Sequence, residues 1–269
     1  MMVAALAAIL PLAQAGEGFV REAGQGATSC VGKNDSICLG WAIDHLGDYV
    51  TPTLQHLAIV FASVAIGLVI AFGLVVLSHR RRWLIPTFTG ITGVIYTIPS
   101  IALFLLLLPI TGRGNATAVI ALCLYTLQII YRNMVAGLAN VPVSTKDAGR
   151  GMGMTEQQLF RRVELPLAVP EIIAGVRIAT VSTVAIASLA TFAGGDGLGQ
   201  PLYFAIQQGA FKTGIFIPVV ILLSMAVLLD LSLLLLQSRL SRWRSPEQHR
   251  AFRRRALATG GPNYAGSGV

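Results

Sequence analysis

Ser144 to Pro166 reads STKDAGRGMGMTEQQLFRRVELP, a short polar stretch set between long apolar runs. Ser144 is placed to cap a first helix, with Asp147 three residues on completing a capping-box-like start. Gly149, Gly151 and Gly153 then punctuate the chain, since a glycine inside a helix weakens it by roughly 1 kcal/mol. Thr155 with Gln158 repeats the capping box and opens a second helix through Arg162. Leu165-Pro166 is expected to end it, because proline lacks the amide donor and disfavours helix in the residue before it. The expected product is a water-facing knob of two helices. Gly153 would let a partner's backbone approach, and Met152, Met154 and Leu159 would offer adaptable apolar contact.

The rest of the chain belongs in lipid. Of 269 residues, 54% are hydrophobic and 12% charged, and the mean hydropathy is +0.70; soluble domains carry about 25% charge. Five runs approach the ~20 residues needed to cross a membrane: Thr53–Ser78, Leu84–Ile110, Ala116–Ala139, Leu167–Ala193 and Gly214–Gln237. The net charge of +8 would suggest nucleic acid in a soluble chain, but its distribution argues otherwise. Arg80–Arg82, the cations of residues 144–166 and the arginines after Arg239 all fall on one side of a five-span layout. The other side holds only Arg21, Lys33, Arg113 and Lys212. This is the positive-inside pattern, with the N-terminus outside and the C-terminus inside.

Four regions follow. Residues 1–15 form a signal-like apolar segment ending Ala13-Gln14-Ala15, too short to cross, with an interfacial N-terminus as the competing reading. Residues 16–52 form an extracytoplasmic loop with an interfacial segment at Trp41–Tyr49. Residues 53–240 form the transmembrane domain, and residues 241–269 a basic cytoplasmic tail. Cys30 and Cys38, in SCVGKNDSIC on the outer side, are suited to a disulfide there; two cysteines alone are poor zinc ligands. Cys123 reads as core packing.

No enzyme constellation is present: His45, His56, His79 and His249 are scattered, without ligand or nucleophile partners at useful spacing. GGDGLG (194–199) is not a phosphate loop, since no Gly-Lys-Ser/Thr follows, and it reads as a turn into a short outer segment. Pro86, Pro99 and Pro109 interrupt the second run. Tyr96-Thr97-Ile98-Pro99-Ser100 is therefore expected to kink against protein, either for packing alone or because Tyr96, Pro99 and Ser100 line a pathway. Arg132, Glu171, Arg177 and Asp230 fall inside apolar runs. Either all four anchor helices near the inner interface, or the deeper Arg177 and Asp230 line a pore or gate, as a pair. Tyr125, Gln128, Asn133 and Ser182 are further candidates for polar lining.

Residues 144–166 resemble the cytoplasmic coupling loop of permease subunits of ATP-binding-cassette (ABC) importers, whose motif is Glu-Ala-Ala, three residues, Gly, nine residues, Ile-x-Leu-Pro. Asp147, Ala148, Gly149, Gly153, Val163, Leu165 and Pro166 stand at its places, with Asp for Glu, Gly for Ala and Val for Ile. YTIPSIALFLLLLP upstream, RGMGMT…RRVELPLAVP and GGDGLGQ downstream resemble the branch importing glycine betaine, choline or carnitine. The likeness runs over about residues 50–240. It implies an all-α, five-helix type I importer core in the plasma or inner membrane. It also implies a second permease, same or paralogous, separate ATPase subunits that bind the ATP, and an external solute-binding protein. This chain would hold no cofactor or metal. An amino-acid permease, for methionine or another, is the nearest rival; an ion-gradient transporter and a non-transporting scaffold are more distant ones.

Overall fold

Long apolar runs whose backbone must satisfy its own hydrogen bonds fold in lipid as helices or a closed barrel. The structure, a computed structural model, describes residues 30–34 and 36–240, and these are helical with short connections. The signal-like segment 1–15, the first part of the 16–52 loop and the tail 241–269 lie outside the described residues.

At the start of the described residues, α1 (Cys30–Lys33), α2 (Leu39–Asp44) and a 3-10 turn (Leu46–Tyr49) lead into α3 (Val50–Arg80). The second apolar run becomes α4 (Leu84–Thr97) and α5 (Ser100–Thr111), and α6 (Asn115–Ala139) follows. The polar stretch forms α7 (Val143–Gly151), α8 (Glu156–Leu159) and a π turn (Phe160–Glu164) leading directly into α9 (Leu165–Ala187). A 3-10 turn (Ser188–Ala193), α10 (Gly199–Gln207) and α11 (Lys212–Leu240) complete the fold. Among the described residues, four helical stretches are long and apolar enough to cross a membrane, and the bent pair α4–α5 makes a fifth if counted as one span.

The centre is α6, with α3, α4 and α9 packed along it; Ala118, Ala121, Leu122, Ile130 and Tyr131 are fully enclosed. Between helices in lipid there is no strong hydrophobic drive, so small residues and polar links hold the crossings. A Cβ on Gly67 of α3 would stand 2.1 Å from Thr126 Oγ1, and one on Gly175 of α9 would stand 2.5 Å from Asn133 Cβ. Ser78 Oγ lies 2.9 Å from Tyr131 Oη, and His56 Nε2 lies 3.0 Å from the Val184 carbonyl. In contrast, α11 shows Leu223, Leu228 and Leu235 outward, each more than 60% exposed, as suits a lipid or subunit contact.

Three expectations need correction. The kink at residues 96–100 is a full break, with α4 and α5 meeting at 98°. Ile98, preceding proline, is extended at ψ 128°, and Pro99 follows at ψ 136°; two successive non-helical residues turn the chain where one proline inside a helix would only bend it. Ser144 caps nothing, because the helix starts a residue earlier, at Val143, with Pro142 in the cap position. Leu165-Pro166 does not end the second coupling helix. Pro166 sits in the first turn of α9, where its missing amide is tolerated, and the π turn before it carries the chain through.

The end of the bundle bearing α1 is stitched together. Cys30 and Cys38 form a disulfide with Cα atoms 5.9 Å apart. Cys38 N donates to Thr213 Oγ1 at 2.9 Å, Asn34 Nδ2 donates to the Ala210 carbonyl at 3.2 Å, and Lys212 N donates to Asn34 Oδ1 at 2.9 Å. In the GGDGLG loop, Asp196 N donates to Asn115 Oδ1 and Asn115 Nδ2 to Asp196 Oδ2, at 2.7 and 2.8 Å. The loop therefore clasps the start of α6. The Gly67 crossing gives a direct test: Gly67→Leu forces α3 off α6 and should lower stability in detergent by about 1–3 kcal/mol, read as a lower thermal unfolding midpoint than wild type.

Candidate functional site

The knob formed by α7 and α8 is built by local hydrogen bonding. The amides of Thr145 and Lys146 donate to the Pro142 carbonyl at the start of α7. At its end Gly153 takes φ +80°, Gly153 N donates to Arg150 O at 2.9 Å, and Met154 N donates to Gly149 O at 3.2 Å. That pairing is a Schellman close, and it needs a left-handed residue where Gly153 stands. Thr155 then restarts the helix with a complete capping box: Gln158 N donates to Thr155 Oγ1 at 3.3 Å, and Thr155 N to Gln158 Oε1 at 2.9 Å. Arg150 bridges the turn to Asp147 at 3.2 Å and to Glu156 at 2.9 Å.

The motif residues divide into three groups. Gly149 is buried, and a Cβ there would stand 2.6 Å from Leu159 Cδ1, with Met154 and Val163 just beyond. Leu159 is fully enclosed, so it is the knob's own core and not a contact for a partner. Asp147, Ala148, Met152 and Gly153 are exposed, and nothing of this chain lies within 4 Å of a Cβ on Gly153. Gly153 therefore serves the turn geometry, with open space beside it. Val163, Leu165 and Pro166 form the root that merges into α9.

Beneath the knob lies a group that the residues alone did not single out. Glu164 is 4% exposed; its Oε1 lies 3.4 Å from Lys146 Nζ and its Oε2 lies 3.4 Å from His79 Nδ1. Lys146 also donates to the Leu138 carbonyl at 3.2 Å, and the His79 ring packs on Phe160 at 4.4 Å. Nothing in the sequence pairs Glu164 with residues so distant along the chain.

Within the bundle, Arg177 of α9 grips Asp230 of α11 with two hydrogen bonds of 3.0 and 2.9 Å. Arg177 Nη1 also donates to Gln237 Oε1 at 3.2 Å, and Gln237 Nε2 donates to the Pro170 carbonyl at 2.9 Å. Arg132 is exposed and Glu171 half-buried. Tyr96, Pro99 and Ser100 lie on a different pair of helices, at the α4–α5 break. There Tyr125 Oη donates to the Ile98 carbonyl, Tyr96 meets Tyr125 edge-on at 5.6 Å, and Thr92 Oγ1 donates to Gln128 Oε1. Tyr96, Thr97 and Pro99 are exposed on this chain.

A helical membrane bundle with a rigid knob leading into one span also describes known proteins. Residues 57–244 match the family described as the binding-protein-dependent transport system inner membrane component. The chain belongs to that family. It is 34% identical over 197 residues to the Bacillus subtilis choline transport system permease protein OpuBB, covering 72% of this chain and 89% of that one. It is 33% identical to the B. subtilis glycine betaine/carnitine/choline permease protein OpuCB, covering 68% and 84%. It is 38% identical to the Salmonella typhimurium osmoprotectant import permease protein OsmW, covering 62% and 80%. Among solved structures, an inward-facing MetNI methionine ABC transporter chain superimposes with a TM-score of 0.67 at 25% identity, covering 72% of this chain and 96% of that one. The protein is thus an inner-membrane ABC permease of the five-helix type I fold.

The Arg177–Asp230 grip yields a prediction. Asp230→Leu leaves Arg177 without its charge partner in an apolar setting and should cut the yield of folded, detergent-extracted protein. Arg177→Leu combined with Asp230→Leu should recover most of it. Gel filtration of matched preparations measures both.

Proposed function

We propose that this chain is the permease subunit of an ATP-driven importer for quaternary-ammonium osmoprotectants such as glycine betaine, choline or carnitine. The observation that carries the transport mechanism is the continuity of the knob with α9. A capped helix pair, closed by a Schellman turn and fused through a π turn to a membrane-crossing helix, can convert a push from a soluble partner into tilt of that helix. The partner is an ATPase subunit that binds and hydrolyses the ATP, with Asp147, Ala148, Gly149, Gly153, Val163, Leu165 and Pro166 forming or rooting the docking surface. A second permease, same or paralogous, completes the pathway, and a solute-binding protein delivers cargo on the side bearing the Cys30–Cys38 cap. In this reading the N-terminus is outside and the C-terminus inside, which the cation asymmetry supports. The cargo follows from the relatives, whose names specify choline, carnitine, glycine betaine or osmoprotectants.

The solute route runs past the α4–α5 break. Irregular backbone at membrane depth is tolerated only where protein covers it or a water-filled cavity wets it, yet Tyr96, Thr97 and Pro99 are uncovered on this chain. That face therefore meets the pathway or the second permease and not lipid. Arg177 and Asp230 brace α11 against α9, holding the mobile helix to its neighbour.

Two tests follow. Asp147→Lys with Gly153→Arg should abolish ATP-dependent uptake of radiolabelled glycine betaine and choline while the protein still inserts; normal uptake by an inserted variant defeats the docking role, and uptake indifferent to ATP indicates an ion-gradient transporter. Ser100→Cys in the assembled complex should react with a water-soluble maleimide much faster than Val69→Cys on the outer face of α3. Equal slow labelling of both removes the break from the route.

A further inference from the structure

Glu164 links α7 to α3 and α6, spans with which that helix otherwise has little contact. Its carboxylate belongs to the π turn at the root of α9, yet it meets Lys146 of α7 and His79 in the last turn of α3, each at 3.4 Å. Through Lys146 it also reaches the carbonyl of Leu138, at the end of α6. A 4%-exposed side chain thus sits where the knob, the first span, the third apolar run and α9 converge. The surrounding packing is open. One cleft of about 690 Å³, lined by Phe72, His79, Arg82, Phe160 and Arg161, lies on one side of it. A second of about 290 Å³, lined by Ser78, Arg82, Ile85, Leu138 and Lys146, lies on the other. Between two voids, the Glu164 cluster is the solid contact.

We propose that Glu164 is a positioning residue that locks α7 to the ends of α3 and α6, so that force on the knob moves the bundle as one body instead of bending the knob alone. This rests on the docking reading above. The chemistry suits the task. A buried carboxylate between a lysine ammonium and an imidazole is a poor source of net stability but fixes a single arrangement, because a slipped alternative strands a charge out of water. Interactions of that kind transmit displacement between packed elements that switch between two states. The Gly149–Leu159 contact holds α7 to α8; the Glu164 cluster holds both to the rest of the molecule.

The experiment uses the whole complex, purified through a tag on this chain with its own ATPase subunits and reconstituted in lipid vesicles with its solute-binding protein. Glu164→Gln keeps the shape and removes the charge. Solute imported per ATP hydrolysed should fall about tenfold, the scale of a typical coupling energy between sites. Lys146→Gln with Glu164→Gln removes the ammonium together with the carboxylate, so it separates locking from charge balance. The proposal expects the double variant to stay uncoupled; restored coupling, or normal coupling in Glu164→Gln, overturns it. If neither variant assembles, the cluster is a folding element and the proposal falls. Spin labels on Ser144→Cys and Leu54→Cys read the lock without cargo: the separation should shift with ATP and vanadate in the otherwise unchanged chain and fail to shift with Glu164→Gln. A shift that survives Glu164→Gln counts against the lock, and no shift in the otherwise unchanged chain defeats the docking reading itself. Vesicles that show the label shift but import no glycine betaine, choline or carnitine fault the cargo assignment alone.

Discussion

In hydrocarbon an unpaired amide or carbonyl costs several kcal/mol, and no water is present to relieve it. The described fold obeys that constraint at nearly every level. The long runs are helical, and their hydroxyls bond back to their own turns: Ser63 to Ile59 O at 2.7 Å, Thr92 to Phe88 O at 2.7 Å, Thr180 to Val176 O at 2.8 Å and Thr183 to Ala179 O at 2.6 Å. The departure comes at Ile98 and Pro99, and it is only partly repaired. Tyr125 supplies a donor to Ile98 O, and Leu103 N donates to Pro99 O at 2.9 Å. The rule that forces helices elsewhere therefore selects this face as one that needs water or a second subunit beside it.

In the polar stretch of the knob the constraint reverses, because water can satisfy a loose loop at little cost. A segment that nonetheless fixes both of its helix ends does so for shape. The Schellman close at Gly153 and the capping box at Thr155 set the angle between α7 and α8, while Leu159 fills the space between them. The π turn then passes that orientation into α9 without a flexible joint. The surface pairs from Arg150 to Asp147 and Glu156 are exposed and of the kind that adds little stability; their geometry reinforces the turn without carrying it.

Much of this was legible in the residues. Four of the five apolar runs fall within single stretches able to cross a membrane and the second is the bent pair α4–α5, since length and hydropathy are local properties, and Thr155 with Gln158 marked a real cap. The misreadings came where a local rule met a competing context. Pro166 reads as a stop in isolation, but it falls in a first turn where a missing amide is no loss. Ser144 has capping chemistry, yet Pro142 already starts the helix, placing the serine inside it. Pro99 promised a bend, and its effect doubled because Ile98 also left the helix. Arg177 facing Asp230, and Glu164 facing Lys146 and His79, depend on helix rotation and packing, which no single stretch of sequence encodes. Leu159 looked like an outward apolar contact for the same reason.

Seen along α9, the two charged clusters have complementary positions. Glu164 holds the root of the helix to α3, α6 and α7, and Arg177 holds it to α11 about 20 Å farther along at 1.5 Å per residue. Beyond Met225, no residue of α11 through Leu240 is buried, so the bonds from Asp230 and Gln237 to α9 secure a half-helix that packing leaves loose. A helix fixed at two heights to different neighbours behaves as a lever: rotation at its base must displace α11 unless the Arg177 pair breaks. Breaking it would separate a guanidinium and a carboxylate from their opposite charges against an apolar groove lined by Ala174, Ile178, Val181 and Leu223, which makes sliding along the groove costly and rigid-body motion the easier course. Two charged clusters thus sit where helices meet, while the rest of the bundle relies on small residues and shape.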